Sequence, residues 1–168
     1  LSGVSFKITN DAGRELGTYT TNSAGRIVLT GIDEGHYVVQ ETEAAEGYEL
    51  DATPYDVYLQ WGKTTQIKLK NKELGSLSLV KVSAENEKQA LPGASFLLYD
   101  EKGSLIGEYT TDQDGYIYID DELVPGKYYL RELEAADGYI RDEQYKTVYV
   151  SPGKTVEIEW EKYNADYN

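Results

Sequence analysis

The chain has no cysteine and no methionine, and it carries one histidine, two phenylalanines and two tryptophans. Without cysteine there is neither a disulfide framework nor a thiolate zinc site. In an oxidising compartment its stability has to come from a good core or from some other staple. No apolar run approaches the roughly 20 residues of a membrane span, and no signal peptide is visible. Leu1 is not a natural start, so the chain reads as a piece of something longer. Basic residues are in deficit, 16 Lys and Arg against 30 Asp and Glu, for a formal net charge of -14. Nucleic acid and anionic membranes bind basic patches, so neither is expected as a partner. The apolar spacing of a helix is also missing throughout.

What is abundant is tyrosine, 16 residues within a hydrophobic content of 40%, and a repeat. Gly35 to Tyr48, GHYVVQETEAAEGY, returns as Gly126 to Tyr139, GKYYLRELEAADGY. Around it LSGVSFKITN matches LPGASFLLYD, GTYTTNSAGRIVL matches GEYTTDQDGYIYI, and LQWGKTTQIKL matches VSPGKTVEIEW. The spacing is 90 residues at Phe6 and Phe96 and 91 at Gly35 and Gly126, which puts one inserted residue near Asp120-Asp121. A fixed period marks a tandem array. In a chain of 168 residues it favours two units, 1–72 and 73–168. The connection Lys72 to Ser76 is too short for a flexible linker, and the two units are expected end to end as a semi-rigid rod.

Each unit reads as short strands between turns. In the first, strands are expected at Leu1 to Asn10, at Leu16 to Thr21 and, briefly, at Arg26 to Leu29. A further strand follows from Gly35, and Tyr55 to Gln60 and Thr64 to Asn71 form a hairpin around Trp61-Gly62-Lys63. Glu49 to Pro54 is an irregular acidic passage. Such a pattern means an all-β sandwich or barrel. The second unit opens on a strand, LSLVKV from Leu77, that has no counterpart in the first. Unit 1 therefore lacks its opening strand, and residues before Leu1 are expected to supply one bearing a lysine.

The chemistry follows from strand parity. Side chains two apart point the same way. Glu41 thus shares the apolar face with Tyr37 and Val39, and Glu132 shares it with Tyr128 and Leu130. Lys81 falls with Leu77 and Leu79, and Asn71 with Ile67 and Leu69. Burial lowers the pKa of a lysine and raises that of a glutamate. A neutral amine is a nucleophile, and a neutral carboxyl is a hydrogen-bond donor. A Lys, a Glu and an Asn converging in one core can form a Lys–Asn isopeptide bond, made once, with loss of ammonia.

At these residues the chain resembles the Cna B-type, or SpaA-like, domains of Gram-positive surface proteins. The resemblance rests on Y-x-L-x-E-x-x-A-x-x-GY with its flanking turns and covers nearly all of both units. It implies tandem prealbumin-like (Ig-like) β-sandwiches used as stalk repeats in adhesins and pilins, extracellular and attached to the cell wall. It also implies an intramolecular isopeptide bond in many members. Carried over by position, Lys81 matches the first-strand lysine, Glu41 and Glu132 the promoting glutamate, and Asn71 the acceptor. Unit 1 has no first-strand lysine, so Asn71 is expected to stay an unreacted amide. In unit 2, counting from Gly153 puts Lys162 at the acceptor position, with Asn164 two residues on and reachable only by a register shift. Lys81 is then expected to pair with Glu132, and Glu41 to be less well satisfied than Glu132.

Other readings stand beside these. Glu41 and Glu132 also fit as structural carboxylates held by backbone or tyrosine hydroxyls, and Lys81 as a lysine that snorkels from a strand end. Asp112 to Gly115 looks like the start of a calcium loop, yet its counterpart Asn22 to Gly25 has lost the acids, so a plain turn is expected. No cofactor and no metal is expected, and His36 has no cluster around it. Beyond single-turnover bond formation no enzyme is expected, for want of a nucleophile–base pair, metal cluster or phosphate loop. The expected partners are neighbouring repeats of the same protein. The rivals are a module that binds a host glycan or protein, and an accessory domain of a secreted enzyme.

Overall fold

A computed structural model describes residues 1–85 and 89–162 of the chain. It divides into two compact units, Leu1–Lys72 and Glu73–Asn168. Unit 1 holds β1 (Ser5–Asn10), β2 (Glu15–Thr20), β3 (Gly35–Glu43) and β4 (Tyr55–Leu59). Unit 2 holds β5 (Gly75–Ser83), β6 (Ser95–Asp100), β7 (Leu105–Thr110), β8 (Tyr116–Leu123), β9 (Gly126–Glu134), β10 (Tyr145–Val150) and β11 (Thr155–Lys162).

Unit 2 is a sandwich of two sheets, one ordered β10-β9-β6-β7 and the other β11-β5-β8. In the second sheet β5 lies in the middle, antiparallel to β8 and parallel to β11. Alternation makes the core. Leu77, Leu79, Ile117, Ile119 and Trp160 from one sheet meet Phe96, Leu98, Leu130, Val148 and Val150 from the other. Phe96 and Trp160 pack edge to face, 5.0 Å between centroids. Each such buried side chain contributes about 1.5–3 kcal/mol. The inserted residue is absorbed as a bulge. Asp121 takes a left-handed φ of 50°, its N–H donates to Ser76 Oγ at 2.8 Å, and the β5–β8 register shifts between Gly75 and Leu77.

Unit 1 repeats only the first of these sheets, in the order β2-β1-β3-β4. Here the structure corrects the sequence reading. Arg26 to Leu29 forms no strand, and Thr64 to Asn71 lies outside every ladder despite its clean alternation. The reason lies in unit 2, where β8 and β11 are both laddered onto β5 and, among the described residues, onto no other strand. Residues 1–72 contain no counterpart of β5, so the stretches that would flank it have nothing to bond. The hairpin reading fails for a second reason. In unit 2 the corresponding strands β10 and β11 belong to opposite sheets, and the turn between them is a crossover. Of the expected pair in unit 1, only Tyr55–Leu59 joins a ladder, with β3. Val4, Ile8 and Tyr37 are the apolar side chains of unit 1 that are buried, whereas Ile67 is 45% exposed and Val28 77%.

Candidate functional site: two glutamates in equivalent pockets

Both glutamates are placed by the same local devices. Phe6 pairs across to Glu41 and Phe96 to Glu132, each one step past a register shift at Ser5/Phe6 or Ser95/Phe96. Such shifts re-aim the side chains beside them. At the other end of the strand, Tyr37 donates its hydroxyl to the Asp33 carbonyl at 2.7 Å, and Tyr128 to that of Val124 at 2.5 Å. These bonds anchor the entry of β3 and β9. Glu41 is 5% exposed and Glu132 fully buried.

A feature missed in the sequence grips each carboxylate. The N–H of Asp51 donates to Glu41 Oε2 at 2.8 Å, and the N–H of Asp142 to Glu132 Oε2 at 2.5 Å. Each aspartate sits ten residues beyond its glutamate and caps its own turn, Asp51 Oδ1 accepting from Thr53 N and Asp142 Oδ1 from Gln144 N. The signal was present, since the acid recurs at the same distance in both copies. Held by one oxygen, each carboxylate turns its Oε1 to a different neighbour.

In unit 1 that neighbour is Asn71. Its amide nitrogen donates to Glu41 Oε1 at 2.8 Å and Oε2 at 2.9 Å, and to the Glu49 carbonyl at 3.2 Å. A backbone carbonyl only accepts, so the nitrogen side of the amide is the one turned inward. The expectation that Glu41 would be the less satisfied glutamate is thereby reversed. Glu41 has both oxygens bonded, whereas Glu132 Oε1 has no hydrogen-bond partner among the described residues. A short neutral amide reaches what a lysine on the facing sheet does not.

In unit 2 the neighbour is Lys81. Its Nζ stands 3.9 Å from Glu132 Oε1, and both side chains are wholly buried. Lys81 Nζ itself lacks a hydrogen-bond partner among the described residues. Burial pushes the Lys81 ammonium down from 10.5 to about 8, with Glu132 opposing and the nearby Lys162 reinforcing the shift. A lysine that snorkels to solvent would be exposed at its head, so that reading is excluded. The backbone of Lys81 is pinned as well: its N–H donates to the Gly115 carbonyl at 2.9 Å, and its carbonyl accepts from Leu91 N at 2.8 Å. Gly115 ends the stretch that resembled a calcium loop. Asp112 Oδ1 instead accepts from the N–H groups of Asp114 and Tyr116, both at 2.9 Å, which closes a plain turn. Gly115 has φ +80°, and a Cβ there would lie 2.9 Å from Ala90 Cβ and Leu91 N and 3.1 Å from the Lys81 carbonyl. The turn thus lays bare backbone against the strand that carries the lysine.

Lys162 lies at the place Asn71 holds in unit 1. It ends β11, paired with Ser83, while Trp160 pairs with Lys81. Its Nζ is 3.9 Å from Asp142 Oδ1, and Trp160 Nε1 donates to Asp142 Oδ2 at 3.2 Å. Asn164, the alternative acceptor, lies outside the described residues. His36 contacts the ring of Tyr58, 4.8 Å between centroids. Among the described residues no group of three or more carboxylate, imidazole or thiol side chains could hold a metal ion, and no helix is long and apolar enough to cross a membrane.

Several known proteins are similar to this chain. The serine-aspartate repeat-containing protein F of Staphylococcus epidermidis is 29% identical over 161 residues, covering 83% of this chain and 9% of that protein. Colossin-A of Dictyostelium discoideum is 28% identical over 142 residues, 76% of this chain and 1% of that protein. The chain thus spans a small fraction of the length of either relative. Among solved structures, the Bacillus anthracis TIE protein matches 98% of this chain and 31% of its own at 28% identity and a TM-score of 0.56. The shaft pilin SpaA of Lactobacillus rhamnosus GG matches 100% of this chain and 90% of its own at 17% identity and a TM-score of 0.59, a likeness of fold. The family model described as the SpaA prealbumin-like fold domain matches twice in succession, over residues 1–73 and 75–164. Those two matches follow the internal repeat and the two glutamate pockets, and the chain belongs to the SpaA family of prealbumin-like fold domains.

Proposed function

We propose that the two units are stalk modules of a longer, cell-wall-attached surface protein of the adhesin or pilin kind, and that unit 1 is built to be closed by a covalent bond. The family is one of structural domains and not of enzymes, so the chemistry is done once per molecule. The observation that carries the reading is the Glu41–Asn71 pair. A carboxylate and an amide meet at 2.8 Å on the open side of the sheet, beside two stretches that lack their ladder strand. A strand laid between those stretches, as β5 lies between β8 and β11, would bring a lysine on its apolar parity to Asn71. The amine would attack Cγ of Asn71 with Glu41 relaying the proton, a C–N bond would form, and ammonia would leave.

The test is a synthetic strand copied from Leu77 to Ala90 and added to the chain. The expected result is a product that survives a denaturing gel and weighs the sum of both parts less one ammonia. Glu41→Gln should leave docking in place and stop the bond. Docking without any covalent product would sink the reading, and so would a chain already short by one ammonia before the strand is added.

A second reading, a module that binds a carbohydrate, is favoured by one surface of unit 2. Tyr145 and Tyr149 are 57% and 66% exposed on β10. Arg131 lies over the Tyr145 ring and Lys127 over that of Tyr129. Flat aromatic faces flanked by cations suit sugar rings that carry acids. Retention of the chain on immobilised acidic oligosaccharide, lost in Tyr145→Ala/Tyr149→Ala, would support it, and equal retention of both would dismiss it.

A further inference from the structure

The second sheet of unit 2 has an outer face that plays no part in the glutamate pocket. Across it the ladders set Tyr116, Val80 and Glu159 in one row and Tyr118, Ser78 and Glu157 in the next. Neighbouring strands stand about 4.8 Å apart, so the tyrosine column and the glutamate column are about 10 Å apart. Only the short side chains of Ser78 and Val80 lie between them, which makes a trough. One wall is the stacked ring pair of Tyr116 and Tyr118, 5.3 Å between centroids and 5° between planes. The other is the exposed row Glu157, Glu159 and Glu161 on β11.

Unit 1 carries the opposite charge at the equivalent positions. Counted from Gly62 and Gly153, Lys68 stands where unit 2 has Glu159, and Lys70 where it has Glu161. Leu69 and Asn71 are half-buried, Asn71 against Glu41, which leaves Lys68 and Lys70 exposed on the other parity. Among the described residues no ion pair holds either lysine. A further strand laid beside this stretch would leave their parity unchanged, so the pattern is independent of how unit 1 is closed. Side chains two apart on an extended chain are about 6.6 Å apart, and two lysines so spaced match two glutamates so spaced. The overall charge is divided in the same sense. Residues 1–72 hold seven basic against ten acidic side chains, and residues 73–168 nine against twenty. Two copies therefore repel least when unit 1 of one meets unit 2 of the other.

We propose that the Lys68–Lys70 stripe of one chain docks in the acidic, tyrosine-walled trough of unit 2 on a second copy. The ammonium groups meet the glutamate row, and the tyrosine faces offer a cation–π wall to the same charges. Stripe and trough are different patches, so the contact is heterologous and continues from copy to copy unless it closes as a ring.

The experiment is sedimentation velocity of the full chain at about 0.15 M salt, where a Debye length of about 8 Å screens net charge more than touching pairs. The sedimentation coefficient should climb with protein concentration and fall back to that of a monomer at about 1 M salt. Lys68→Glu/Lys70→Glu and Glu157→Lys/Glu159→Lys should each lose the climb. An equimolar mixture of the two variants should regain it, because each then offers the other an opposite row. All four positions are exposed, and hydrogen exchange of core peptides should be unchanged. Carbodiimide coupling of mixed isotopically light and heavy parent chains should link Lys68 or Lys70 to the glutamate row, with one light and one heavy peptide in each product. A sedimentation coefficient that does not change with concentration overturns the proposal. So do variants that climb like the parent, and so do links found only between peptides of the same isotope, which would place the contact within one chain.

Discussion

The two units share a sheet, a glutamate, a gripping aspartate and a tyrosine anchor, and they differ in one strand. With β5 present, the stretch at 116–123 and the one at 155–162 are strands, and Trp160 is wholly buried. Without a counterpart, 26–30 and 64–71 are irregular, and Leu69, at the place of Trp160, is half-buried. The sequences of the two pairs of stretches alternate equally well. Strand formation in this sheet is thus decided by a partner and not by local propensity. The same difference divides the two pockets, for the carboxylate of unit 1 faces an amide and that of unit 2 a buried amine.

The largest test of that contrast breaks the buried pair in unit 2. Glu132→Leu alone should destabilise unit 2 by about 3–5 kcal/mol, because the buried Lys81 is left without its counter-charge, and adding Lys81→Met should recover most of it. Hydrogen exchange of peptides from β5 and β9 reads this directly, with unit 1 peptides unmoved. Next comes the aromatic at the end of the last strand. Trp160→Ala should cost about 3–5 kcal/mol, while Leu69→Ala in unit 1 should cost under about 1 kcal/mol for want of burial to lose. Equal costs would mean that unit 1 has a core like that of unit 2.

A pH series sharpens the comparison further. Lys81 is depressed to about 8 in the folded chain, against 10.5 ordinarily. Between those values the unfolded state binds more protons than the folded one, so stability rises with pH across that window. The penalty is fully present below about pH 8 and is gone above 10.5. The gain for unit 2 should be on the order of 3 kcal/mol, taken as the difference from Lys81→Met so that tyrosine titration cancels. Unit 1 should show no matching rise. The smallest effect should be the one that fails to distinguish the units. Tyr37→Phe and Tyr128→Phe each remove one hydroxyl bond and should cost about 1 kcal/mol apiece. A clear inequality would show that the shared anchor is not equally used.

Much of this was legible in the residues. The placement of Glu41, Glu132 and Lys81 on apolar faces followed from period-two alternation, and the structure buries all three. The inserted residue near Asp120-Asp121 is the bulge at Asp121. The ladder state of Thr64 to Asn71 was not legible, because its hydrogen bonds depend on a strand distant in sequence. The recurrence of Asp51 and Asp142 ten residues beyond each glutamate marked them as a pair, but not their grip, which uses the backbone N–H. The reversed satisfaction of the two glutamates came from reach. Parity places a side chain on a face, but only geometry says whether a hydrogen bond closes.

The parallel pairing of β5 with β11 bears on how unit 2 would carry tension. The chain enters at Gly75, the first residue of β5, and β11 ends at Lys162, at the opposite end of the paired strands. A pull applied at those two points slides one strand along the other. The eight residue pairs from Ser76–Thr155 to Ser83–Lys162 are then loaded together in shear, and none can open ahead of the rest as in a zipper. The Lys162–Asp142 ion pair and the buried Lys81 lie toward the Lys162 end of that overlap and add to what the slide must break.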